Sequence, residues 1–194
     1  RSKEAIDLLK EALQKAIASE EQFGEVSPCL VDIYQELAFA LSEEGMADEA
    51  LYYLNKTDVL DCDHVQMQVI KGHILLADNR FDEAEQYFRT AITESDNAPQ
   101  TLLRVIVSLY DNKYLEAAYK MFRQYFKLVG SDHDEGYAYM ALCCYDLKRV
   151  DEFLKYLQLA CERNPKECRL VLNHLFPDSV EPQDYYKYIK DKLK

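Results

Sequence analysis

Residues 65–98 read VQMQVIKGHILLADNRFDEAEQYFRTAITESDNA, and the pattern of this stretch decides the fold. Gly72, Leu75, Ala84, Phe88 and Ala91 mark two apolar stripes at helical spacing, with Asn79-Arg80 as the turn between them. Gly72 and Ala84 are small, as the close crossing of two antiparallel helices requires. Ala84 itself recurs as Ala50 and Ala118, each 34 residues away. A fixed period of that length marks one two-helix unit repeated along the chain.

The register extends both ways. In Val31–His64, Tyr34, Leu37, Ala38 and Leu41 fill a first helix, and Ala50 and Leu54 a second. In the unit starting at Pro99 the matching residues are Leu102, Val105, Ile106 and Leu109, then Ala118, Phe122 and Tyr125. One extra residue shifts the fourth copy, where Tyr137, Met140, Ala141 and Cys144 precede Phe153, Leu157 and Ala160. Asp48-Glu49, Asp82-Glu83 and Asp151-Glu152 each open a second helix, where carboxylates suit the dipole. Large Ile106 faces small Ala118 and small Ala141 faces large Phe153, so each crossing keeps one small partner. Gln68 and Lys71 stand where an aromatic and a leucine fit the pattern, which predicts a less well packed first helix in the second copy.

These residues resemble the tetratricopeptide repeat, whose pattern runs aromatic, leucine, glycine, tyrosine, then alanine, phenylalanine and alanine. The resemblance covers residues 31–167. It implies an all-α, right-handed superhelical solenoid of antiparallel helix pairs, with about ten to eleven helices in one domain. The expected parts are residues 1–30 (an N-terminal helix and linker, similar to the second helix of a truncated repeat), repeats at 31–64, 65–98, 99–133 and 134–167, and capping helices over 168–194. Residues 3–23 read as a single helix with Ala5, Ile6, Leu9, Ala12, Leu13, Ala16 and Ile17 as its stripe. A missing partner for that stripe is what a fragment of a longer array would show.

The resemblance also implies a function: a scaffold or adaptor that holds a peptide or helical segment of a partner in a concave groove lined by the first helices. Carried over residue by residue, the groove positions are Gln35, Phe39, Val69, His73, Leu76, Leu103, Val107, Tyr110, Leu142 and Tyr145. The Lys, Arg and Asn clamp with which some members hold a carboxylate tail has no counterpart at the matching places. An apolar, aromatic groove edged by Asp32, Glu43, Asp111, Glu135 and Asp146 suits an apolar or amphipathic segment with basic flanks. The alternative is a structural role, in which the end helices make a homodimer.

Composition bounds the rest. A net charge of −12 argues against a phosphate backbone as ligand, which calls for clustered Lys and Arg. No run approaches the length of apolar sequence that crosses a bilayer. Six cysteines without a C-x-x-C pair point to a reduced, cytoplasmic setting. Asp61-Cys62-Asp63-His64 and Asp132-His133-Asp134 could be read as metal clusters. Both fall where a new helix should begin and Asp is a preferred N-cap, so no metal or other cofactor is expected. No nucleophile–base arrangement or phosphate loop occurs, so the chain is not expected to be an enzyme.

Overall fold

The computed structural model describes residues 2–24, 29–130 and 133–192. Among them all regular structure is helical, with eleven α-helices and three short 3-10 segments. The chain divides into two compact units, residues 1–101 and 102–194.

The first unit opens with α1 (Ser2–Phe23), which packs on α2 (Leu30–Glu43) through Ile6, Leu13 and Ala16. The hairpin of α2 with α3 (Ala47–Leu54) follows, then that of α4 (His64–Ala77) with α5 (Phe81–Glu94). In the second unit α6 (Pro99–Asp111), whose first turn holds the unit boundary, leads to α7 (Leu115–Val129). There α8 (Tyr137–Asp146) pairs with α9 (Val150–Arg163), and α10 (Pro165–Leu172) and α11 (Tyr185–Lys192) close the chain. Three helix hairpins, α2 with α3, α4 with α5 and α8 with α9, are thus closed by contacts within their units.

The clearest recurring feature lies in the turns. Gly45, Asn79, Lys113 and Lys148 all have left-handed backbones, with φ of 75°, 61°, 67° and 61°. The next residue in each case donates its N–H to the carbonyl five residues back: Met46 to Leu41, Arg80 to Leu75, Tyr114 to Leu109 and Arg149 to Cys144, at 2.8–2.9 Å. This is the 6→1 bond of a Schellman turn, which satisfies a carbonyl left open at the helix end. The turns recur at intervals of 34, 34 and 35 residues, so the inserted residue read from the sequence lies between the third and fourth turns.

Three expectations change. First, α4 is buried on nearly all sides, from Met67 through Leu76, despite Gln68 and Lys71. Lys71 is itself 2% exposed and sends its ammonium to Asp58 at 2.8 Å, in the 3-10 turn after α3. A long aliphatic stem fills the space that a leucine would, and the charge is met at the edge. Second, Asp63 does cap α4, accepting the Gln66 N–H at 2.9 Å, but no aspartate caps α8. That helix begins at Tyr137 after left-handed Gly136, and Glu167 takes the cap role; Asp132 lies outside the described residues. Third, α10 begins at Pro165, capped by the Asn164 side chain on the Glu167 N–H, inside the stretch assigned to the fourth repeat.

Gly72 shows how tightly a hairpin closes. A Cβ built there would lie 2.4 Å from the Phe88 ring of α5, and that ring is 5% exposed. Only hydrogen fits between α4 and the ring without movement. Gly72→Ala is expected to destabilise the first unit by about 1–3 kcal/mol in urea unfolding. Adding Phe88→Leu, which withdraws the ring, is expected to recover part of that loss.

Candidate functional site

The groove positions fall on first helices within each unit. In unit 1, α2 and α4 touch through three of them. The Gln35 amide Nε2 approaches the Met67 Sδ at 3.7 Å, and the Phe39 and His73 rings meet edge to face with centroids 6.2 Å apart. Gln35, Phe39 and His73 keep part of their surface exposed, whereas Val69 and Leu76 are buried. In unit 2, Leu103 and Val107 are half-buried, Tyr110 and Leu142 are buried, and Tyr145 is 42% exposed. Val69, Leu76, Tyr110 and Leu142 thus pack between helices and offer little surface to a partner in this conformation. The cause is legible afterwards: α4 and α8 carry apolar residues around their whole circumference, as helices enclosed on several sides do.

Unit 2 uses its tyrosines internally. The Tyr110 hydroxyl donates to the Asp146 carboxylate at 2.5 Å, joining α6 to the end of α8. Burial, and then that carboxylate, hold the phenol well above its ordinary pKa, so it remains a donor. The turn lysines lie over the same aromatic residues: the Lys113 ammonium is 5.5 Å from the Tyr110 ring centroid, and Lys148 is 5.1 Å from Tyr145.

Three arrangements escaped the sequence reading. Arg80 and Arg149 occupy the same place in their hairpins, just before the second helix. Arg80 contacts Asp48 at 2.6 Å and Glu83 at 2.7 Å, while Arg149 reaches Glu116 at 3.2 Å and Glu152 at 3.6 Å. In both units, then, an arginine ties the start of one second helix to the start of the preceding one. The signal was present as Arg recurring at turn positions, with acids already noted at the helix starts. The second is Glu167, at the first turn of α10, whose two oxygens accept the Gly136 N–H at 2.9 Å and the Ala138 N–H at 3.3 Å. It supplies a carboxylate to the positive end of α8 from a different helix, a partnership that sequence spacing does not reveal. The third is the pair of Tyr125 Oη and His133 Nε2, buried and without hydrogen-bond partners among the described residues, in rings packed edge to face at 5.6 Å, with the Glu135 carboxylate 3.8 Å from the imidazole nitrogen.

Cysteine chemistry offers little here. Cys143 and Cys144 are both fully buried, and desolvation pushes both thiols up to about 12. Cys62 Sγ lies 3.9 Å from His64 Nδ1, yet burial raises that thiol as well, the reverse of an activated nucleophile. Among the described residues no three His, Cys, Asp or Glu side chains gather as metal ligands would, and no helix is long and apolar enough to cross a membrane.

Comparison with protein-family profiles gave no match, nor did comparison with the sequences of curated proteins.

Glu167 generates a pH prediction. Burial raises its carboxyl above the ordinary value, outweighing the two N–H bonds that favour the anion. A folded-state pKa above the unfolded one means the fold binds the proton more tightly. The contribution is therefore fully present below the unfolded pKa and is lost as pH rises through the folded one. Glu167→Gln cannot titrate, so wild type is expected to lose stability relative to that variant as pH rises above the ordinary carboxyl value of 4.5, read from paired urea unfolding curves.

Proposed function

We propose that this chain is a protein-interaction module of the tetratricopeptide kind, its helix pairs stacked as a right-handed superhelical solenoid that holds a segment of a partner protein against its first helices. The observation that carries this reading is the fourfold recurrence of one interhelical turn, with the same left-handed residue and the same i−5 hydrogen bond, in register with the repeat pattern. Hairpins that share one turn present related faces of their first helices, and repeated faces suit a linear ligand better than a compact one. The surface left on these faces by Gln35, Phe39, His73, Leu103, Val107 and Tyr145 is mixed apolar and aromatic, the composition of recognition patches.

Substitution of exposed ring surface tests it. The Phe39→Ala plus Tyr145→Ala protein is expected to lose partners that wild type retains in affinity capture from cells, with its circular-dichroism melt still cooperative. Capture of the same partners by both proteins would remove the first-helix faces from the function.

A homodimer through the ends is the second reading, and exposed apolar residues at both ends favour it. Leu8 on α1 is 67% exposed, and Leu170 on α10 is 82% exposed beside Pro165 and Pro182. If the ends associate, light scattering gives twice the monomer mass, and Leu8→Glu or Leu170→Glu returns it to that of a monomer.

A further inference from the structure

The two units differ sharply in charge. Residues 1–101 hold 8 Lys and Arg against 21 Asp and Glu, a balance of −13; residues 102–194 hold 15 against 14, a balance of +1. The whole acidic excess of the protein therefore belongs to unit 1.

Within unit 1 that excess reaches the α2–α4 face. Asp32, Glu36 and Glu43 are exposed on α2 and follow the same helical stripe as Phe39, at spacings of four, three and four residues. No lysine or arginine occurs in α2, and the one in α4, Lys71, is buried and paired with Asp58. Carboxylates here thus flank a half-exposed aromatic ring with no cation on either helix to offset them. The corresponding helix ends of unit 2 differ, since Lys113 and Lys148 already lie over Tyr110 and Tyr145, and Asp146 is held by a phenol.

We propose that the α2–α4 face is the docking surface for a cationic amphipathic helix of a partner protein, whose apolar side meets Phe39 and whose Lys or Arg side chains meet Asp32, Glu36 and Glu43. The inference rests on the reading of the chain as an interaction module and assigns that module's ligand chemistry and location. Opposite charge across such a face raises the association rate and selects among partners, and exposed pairs of this kind weaken as salt screens them. The stripe of ring and carboxylates runs along one helix, so the ligand charges must repeat at matching spacing on the edge of an apolar face.

The probes are a short leucine–lysine amphipathic peptide and its leucine–glutamate counterpart, titrated against the full chain by fluorescence anisotropy. The lysine peptide is expected to bind and to weaken about tenfold on Asp32→Asn/Glu36→Gln/Glu43→Gln substitution, and to weaken again between about 50 and about 300 mM salt. Asp151→Asn/Asp178→Asn/Asp184→Asn removes the same charge from exposed positions of unit 2 and is expected to leave affinity unchanged. Equal loss in both triple variants would mean attraction to net charge alone and would overturn the proposal. So would binding of the lysine peptide that neither salt nor the unit 1 triple alters. Binding of the glutamate peptide alone, lost on Phe39→Ala, would overturn the charge assignment while leaving the interaction module intact. Failure of both peptides to bind in a Phe39-dependent way would overturn the docking face itself.

Discussion

A left-handed residue followed by an N–H bonded five residues back is the constraint on which the rest of this structure depends. It reverses the chain in so few residues that the second helix must run back along the first. Once that happens, side chains at the crossing are forced together, and the sequence has to supply hydrogen or a methyl group on one side of it. Gly72 under the Phe88 ring is a direct instance. The turn also fixes which residue begins the second helix, and so places Arg80 and Arg149 where each reaches the acids at the preceding second helix.

Three of the four turn residues are not glycine. Asn79, Lys113 and Lys148 adopt a backbone that crowds a Cβ, at a cost of about 1 kcal/mol or more each. Asparagine offsets part of this with its short polar side chain. The two lysines have no such local aid, but each extends its ammonium over the tyrosine three residues earlier. Strain in the main chain and attraction in the side chain thus meet at the same residue.

The features legible in the sequence share one property: they arise from local periodicity. Ala50, Ala84 and Ala118, the acidic helix starts and the extra residue before the fourth hairpin are visible because helix pairing repeats a short pattern. The single helix at the N-terminus was equally plain, since its stripe lies within one element. Contacts between elements far apart in sequence were not legible. Nothing in the spacing links Glu167 to the start of α8, because the fold of the intervening α9 hairpin brings them together. Lys71 looked like a defect in its helix, since its partner Asp58 belongs to an earlier turn. The groove positions were read from the direction of side chains on single helices, but how much of each is covered depends on neighbours. That is why Val69 and Leu142 proved buried while Phe39 and Tyr145 kept surface.

The repeated turn has a kinetic and thermodynamic consequence. Each hairpin closes over few residues, so its contacts form at small loop-closure cost and need not await distant parts of the chain. Within a unit, one hairpin can open locally without requiring the whole chain to melt. Amide exchange should then differ from hairpin to hairpin, and a single unfolding free energy would average over pieces that open separately.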